Sequence, residues 1–268
     1  MPAPYPKQQM HRIRYTRLTP ESIQQKLAAA SAGPIEHPPL SAALAGQSLR
    51  IVTSSLALEY RFNSPTELVL REDNQEPVKA GYGALELNHV VFFSHMLPGT
   101  QRGLNVILDR RSHLATVFEV WFSGYTDNRE AQRLIHYGYI DRPGVPPPTA
   151  RHHITNRLEG KGFYWKQDNG VESLEFYPSV LSSSFVELTR TGGELTFCAP
   201  SDFIQIDDST YIYSRVECEF SGTLTLYVLD LFTVAQVGVR LGFNENDALE
   251  YTLFRGKGEI TGQLATFE

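Results

Sequence analysis

The sequence predicts an all-β protein: two tandem antiparallel up-and-down β-barrels, with an N-terminal helical arm and a short interdomain helix. Three observations carry this prediction. Val91 to Phe122 and Thr210 to Phe243 follow one plan: strand, glycine-containing turn, strand ending in Asp, short turn, strand ending in Phe. Ser94 aligns with Ser214, Leu104 with Leu224 and Val117 with Val237, each 120 residues apart, and Asp109 with Asp230 and Phe122 with Phe243 at 121. An offset held over that distance marks an internal repeat. The second observation is composition, since a chain 41% hydrophobic with 15 Phe and 13 Tyr is biased toward sheet. The third is the run of short segments joined by tight turns, which suits a barrel that closes on itself and leaves no exposed edge.

At 268 residues the chain is long enough for two domains. The repeat divides it into an arm at 1–40, a first barrel at 41–125, a helix and Pro-rich connector at 126–157, and a second barrel at 158–268. In the arm, Thr19 is placed to cap a helix, Pro20 suits its first turn, Ser22 to Ala30 are good helix formers, and Gly33-Pro34 ends it. Strands follow at Ser48 to Thr53, Leu56 to Phe62, Glu67 to Glu72, Ala80 to Leu87, Val90 to Met96, Leu104 to Asp109 and Ala115 to Phe122. Asp73 to Pro77 is turn chemistry. Thr126-Asp127-Asn128 is set to cap a helix over Arg129 to Tyr137. The second unit starts at Leu158-Glu159-Gly160. Leu174-Glu175-Phe176 echoes Leu58-Glu59-Tyr60, and Phe185 to Arg190 echoes the Glu67 strand. Ser201 to Ile206, Ala248 to Arg255 and Gly258 to Phe267 complete the second set, with Arg255 to Glu259 reading as a turn between the last two.

Composition excludes several classes. Net charge is −6 with no long basic run, which argues against sequence-independent nucleic-acid binding. No segment approaches the ~20 apolar residues that span a bilayer, and the N-terminus lacks a signal-peptide core, so a cytoplasmic protein with no membrane partner is expected. Cys198 and Cys218 match no zinc spacing and read as reduced, buried thiols, with a cross-strand bridge left open. There is no phosphate loop, G-x-S-x-G elbow or H-E-x-x-H.

Two runs carry a resemblance. The segment YTDNREAQRLIHYGYIDRPG, followed by ARHHITNRLEGKGFYW, resembles the junction of the MoaF-like proteins (molybdenum cofactor biosynthesis protein F). That likeness covers Leu44 to the C-terminus and implies two calycin-type, lipocalin-like barrels in tandem. The single-barrel phenolic acid decarboxylases are more distantly similar. Their opening Gly-x-x-Phe and Asp-Asn-Gly are matched by Gly160-Lys161-Gly162-Phe163 and Asp168-Asn169-Gly170. Their catalytic glutamate falls on Glu217 and their catalytic arginine near Arg190. Their paired substrate tyrosines fall on Trp165 and Gln167, and repeat one has Leu97 in place of the glutamate, so the decarboxylation itself does not carry over.

The candidate chemistry follows from strand alternation. Arg215, Glu217 and Glu219 share one face of a strand and Val216 and Cys218 the other. If the first face is the barrel interior, Arg215 and Glu217 form an acid–base pair in a dry cup; if it is the outside, the three are a solvated ladder. His95 occupies the place of Arg215 in repeat one, as a base or as a satisfied wall histidine. Catalytic candidates are therefore Glu217, Arg215 and His95, and substrate-contacting candidates are Trp165, Tyr164, Arg190, Tyr139, His152 and Tyr213. His152 and His153, adjacent on an extended chain, point to opposite faces, so with His136 they do not make a metal set. Arg129, Glu130, Arg133, Tyr137, Tyr139 and Arg151 read as an interdomain network, with a cationic lid as the alternative.

The expected function is a cofactor-independent lyase, isomerase or cyclase acting on a small aromatic or polyketide-like metabolite, with neither metal nor cofactor. The alternatives are a carrier or sensor of a hydrophobic metabolite and, from the resemblance, an accessory factor in molybdenum cofactor biosynthesis. A homodimer stays open.

Overall fold

The computed structural model describes residues 18–34, 39–122, 131–189, 195–217, 223–243 and 247–264. After helix α1 (Pro20–Ala30), eight antiparallel strands close the first barrel. They are β1 (Ser48–Thr53), β2 (Ala57–Phe62), β3 (Glu67–Glu72), β4 (Val78–Leu87), β5 (Val90–Met96), β6 (Arg102–Asp109), β7 (Leu114–Phe122) and β8 (Ala131–Asp141). Each pairs with the next, and β8 returns to β1. A short β9 (His153–Ile154) pairs with the outside of the second sheet at β13. The second barrel comprises β10 (Lys161–Gln167), β11 (Glu172–Ser179), β12 (Ser182–Glu187), β13 (Leu195–Gln205), β14 (Thr210–Glu217), β15 (Thr223–Asp230), β16 (Ala235–Phe243) and β17 (Leu249–Gln263). It closes where β17 pairs with β10.

Three sequence expectations are corrected. The interdomain helix over Arg129 to Tyr137 does not form from Ala131 onward: these residues begin β8, which completes the first barrel, so that barrel extends past residue 125. Closure requires an eighth strand, and its hydrogen bonds to β1 and β7 outweigh the local helical signal. Residues Arg129 and Glu130 lie outside the described residues. Arg255 to Glu259 is not a turn but the middle of β17, which pairs with β16 through Lys257 and with β10 from Gly256 onward. Finally, the repeat slips by one residue after β5. Ser94 and Ser214 are true equivalents, but β6 pairs Asn105 with Ser94 while β15 pairs Leu226 with Ser214. The offset is thus 121 from β6 onward, and Leu104 corresponds to Thr225, not Leu224. Because side chains alternate, one residue decides the face. Leu104 lies inside the first barrel, whereas Leu224 faces out of the second.

The core is tripartite. One cluster fills the first barrel (Leu58, Tyr60, Phe62, Phe93, Val106, Val117 among others) and another fills the second (Phe163, Trp165, Tyr177, Phe203, Tyr213, Tyr227). The third lies between the barrels, where Phe92, Met96, Phe118 and Phe122 meet Val216, Leu226, Val239 and Phe243. The facing strands are therefore buried on both sides: β5, β14 and β15 are covered along their whole length. That double burial hides the period-2 pattern in the segments that carry the repeat.

Helix α1 covers this seam. Thr19 accepts a hydrogen bond from the Ser22 amide and Pro20 opens the first turn, as its sequence requires. Ile23, Leu27 and Ala30 join the inter-barrel cluster. The chain then crosses β4 so closely that a Cβ on Gly81 would lie 2.1 Å from the Ala32 carbonyl oxygen. Glycine is the residue that admits this approach. Asp109 and Asp230 repeat one device: each accepts amide hydrogens two and three residues on, turning the chain into the next strand. Cys198 is exposed, contrary to its expected burial, and Cys218 lies outside the described residues. No helix among the described residues is long and apolar enough to cross a membrane.

Candidate functional site

Strand alternation decides the orientation of β14. Val216 packs into the apolar seam, so Tyr211, Tyr213, Arg215 and Glu217 turn into the second barrel. Arg215 is 1% and Glu217 0% exposed, which removes the solvated-ladder alternative. A charge is tolerated at such depth only when partnered, and Arg215 is held on two sides. Its Nη1 donates to Glu175 Oε1 at 2.9 Å from β11, and its Nε to Glu217 Oε1 at 3.4 Å. Its guanidinium lies 3.8 Å from the centroid of the Phe185 ring.

Glu217 is held more tightly still. Its Oε1 also accepts from Arg240 Nη1 at 2.9 Å and from the Thr225 hydroxyl at 3.1 Å. Its Oε2 lies 2.9 Å from Arg240 Nη2, an ion-pair contact without hydrogen-bond geometry. Arg240 Nε in turn donates to Glu250 Oε2 at 2.6 Å. The result is an alternating chain, Glu175–Arg215–Glu217–Arg240–Glu250, running from the barrel interior to a partly exposed end. Glu175 ends the inner side, where Tyr177 donates to its Oε2 at 3.0 Å. Burial pushes the Glu175 carboxyl above the usual carboxylate range, against the pull of Arg215 and the tyrosine hydroxyls. The Arg215 and Arg240 guanidiniums are held above their ordinary values by neighbouring charges, which outweigh the opposing desolvation.

Near Glu175 two buried polar atoms have no hydrogen-bond partner, Trp165 Nε1 and Ser173 Oγ, while the Tyr227 hydroxyl is turned to the Glu175 carboxyl. Trp165 and Ser173 are register partners on β10 and β11, and Ser173 and Glu175 share one face of β11. Tyr227 lies under the Arg215 guanidinium at 5.3 Å. The remainder of the interior is filled by rings in contact, with Phe163 stacked on Trp165 at 5.5 Å and Tyr213 on Tyr227 at 5.0 Å.

Of the residues the sequence nominated, Glu217, Arg215, Tyr213 and Trp165 are together in this interior. Tyr213 donates to Ser183 at 2.7 Å. His95 is not with them. It occupies the equivalent position inside the first barrel, 3.1 Å from the Tyr60 hydroxyl. Burial, with the Arg102 charge second, holds its pKa down to about 3. Tyr164 points out of the barrel, where its hydroxyl donates to Glu172, because Phe163 and Trp165 take the inward positions. Tyr139 lies at the far end of the first barrel under the Arg151 guanidinium at 5.0 Å. His152 is wedged against Thr116, whose neighbours Ala115 and Val117 face into the first barrel, while His153 is exposed. Arg190 lies outside the described residues. From the proposed interdomain network, Arg133 does bridge the barrels, through Asp202 at 2.5 Å.

Sequence reasoning missed Glu175 and Arg240. The echo of Glu175 with Glu59 is one residue out, since the β10–β11 register equates Glu175 with Tyr60. On β11 the polar Ser173 and Glu175 face in while Leu174 is half exposed, which inverts the usual cue. The first barrel has its own charged cluster at one end: Arg102 binds Glu72 through both terminal nitrogens and Glu119 through Nε, and Glu119 meets His136 at 2.9 Å.

No protein-family model matches the sequence, and no curated protein matches it. Among solved structures, the chain is similar to a protein of unknown function of the DUF3598 family from Nostoc punctiforme. Identity is 11%, the match covers 80% of this chain and 94% of that one, and the TM-score is 0.37.

Proposed function

We propose that the second barrel is an acid–base site for a small molecule, making the protein a cofactor-independent enzyme of the lyase, isomerase or cyclase type. The observation that carries this reading is the convergence of Glu175, Arg215 and Glu217 in one interior, two carboxylates sharing a guanidinium away from water. A carrier needs apolar walls and at most one polar anchor, whereas buried ionisable groups that converge are the usual furniture of proton transfer. The aromatic walls suit a planar, aromatic or polyketide-like guest. The first barrel, with Tyr60, Phe62, Phe93 and His95 in mutual ring contact, reads as structural. The resemblance of the junction to MoaF-like proteins is consistent with small-molecule metabolism and supplies no reaction.

The test is incubation of the purified protein with a small-molecule extract, following consumption by mass spectrometry. Wild type should deplete one compound and form one product, and Glu217→Gln should abolish the conversion without unfolding the chain. Conversion unchanged by Glu217→Gln removes the charged chain from the mechanism. A compound that co-purifies and is returned intact makes the protein a carrier.

A further inference from the structure

The two interior carboxylates are built differently. Glu217 is ion-paired on both sides: Arg215, Arg240 and the Thr225 hydroxyl all donate to its Oε1, and Arg240 lies against its Oε2, so its charge is held between two guanidiniums. Glu175 has one guanidinium bond and one bond from Tyr177, and it shares its face of β11 with the unpartnered Ser173, whose register partner Trp165 is unpartnered as well. An indole N–H can only donate, and the Ser173 hydroxyl is free to do so. Two donors without an acceptor, buried on the strand face of a carboxylate, form a place for an oxygen that gains negative charge.

We propose, building on the acid–base reading above, that Glu175 is the catalytic base and that Trp165 and Ser173 bind the substrate's carbonyl oxygen. The substrate class is a small planar β,γ-unsaturated carbonyl compound with an acidic C–H between the carbonyl and the C=C bond. In the forward step that C–H bond breaks, its proton goes to a Glu175 oxygen, and the electron pair moves onto the carbonyl oxygen to give a conjugated dienolate. Glu175 then returns the proton to the γ-carbon as the C=C bond shifts into conjugation with the re-formed carbonyl, so atoms and charge balance with no co-reactant. Glu217 is a positioning residue that acts through Arg215: it fixes the guanidinium that orients Glu175. The raised Glu175 carboxyl fits a base of this kind.

The probe is 4-nitrophenol, an enolate mimic whose phenolate absorbs in the visible and whose phenol does not. In wild type, below the probe's own pKa, the phenol proton should pass to Glu175. The bound probe should therefore show phenolate absorbance, with affinity nearly independent of pH and no net proton release in weak buffer. Glu175→Gln has no group to take the proton, so its affinity should fall about tenfold for each pH unit below the probe's pKa. Glu217→Gln should weaken binding yet keep the flat profile, and Trp165→Phe should weaken it about tenfold, also with a flat profile. The proposal is overturned if wild type does not bind the probe, if it releases one proton per probe bound, or if Glu175→Gln keeps the flat profile. None of these outcomes depends on the Glu217→Gln turnover assay, so the broader acid–base reading stands or falls separately.

Discussion

Phe122 and Phe243, the residues that end corresponding strands of the two repeats, touch each other. Their ring centroids are 5.3 Å apart, edge against face at 73°. Both rings belong to the apolar cluster between the barrels, so corresponding strand ends of the two repeats pack against each other across the seam. Truncation at either site should cost about 3–5 kcal/mol, as expected for a buried phenylalanine. The double variant should cost less than the two single costs combined by about 0.5–1.5 kcal/mol, the usual coupling of an aromatic pair. Urea unfolding of the four proteins checks this, and strict additivity would mean that the rings do not pack on each other.

The charged chain should be far more sensitive to breaking than to exchange. Arg215→Met leaves Glu175 without its cation and Glu217 with only Arg240, both carboxylates buried. The expected cost is about 3–5 kcal/mol, from carboxylates left buried and unpaired. Replacing Glu175 by Gln in the same chain should recover part of the loss, because it removes one stranded charge. If the double variant is no more stable than Arg215→Met, Glu175 is not ionised in the native protein.

Acid stability should report the buried imidazoles. His95 is held down to about 3 from an ordinary 6.5, so the unfolded chain takes up a proton that the native chain refuses. Stability is complete above 6.5 and falls as the pH drops toward 3. At roughly pH 5 the loss from one such group is about 2 kcal/mol. His152, held down to about 4 chiefly by burial, adds to the same slope. His95→Gln should remove its share of the difference between unfolding free energies at pH 7 and pH 5, and an unchanged slope would show His95 protonated in the native state.

Gly258 marks where β17 leaves one neighbour for the next. A Cβ there would sit 2.4 Å from the Trp165 ring and equally close to the Tyr164 carbonyl oxygen, whereas one on Gly262 would meet nothing within 4 Å. Gly258→Ala should therefore cost about 1–3 kcal/mol and move the tryptophan emission, while Gly262→Ala should stay within about 0.5 kcal/mol. Equal effects at both positions would place the Trp165 ring elsewhere.

Much of the fold was legible because turn chemistry and aromatic, β-branched strands are local signals. Ser48–Thr53, Glu67–Glu72 and Val90–Met96 appear in the structure with the bounds their residues predict. The arm helix was equally readable from Thr19 and Pro20. What failed was non-local. Nothing near Gln132 to Tyr137 says that a ring of seven strands needs an eighth. Nothing in Leu104 and Leu224 says that one residue has slipped between them. Arg215 and Glu217 were identifiable from alternation plus resemblance, but their inward orientation follows from Val216 packing against the other barrel. Glu175 was invisible because its partner, Arg215, lies 40 residues further along the chain.

The seam has a consequence for the separated halves. A lone barrel presenting the faces of β14, β15 and β16 to water would expose Val216, Leu226, Val228, Val239 and Phe243 as one contiguous greasy surface. Carrying both barrels on one polypeptide keeps that surface covered at any protein concentration, which a dissociable pair of single barrels does not.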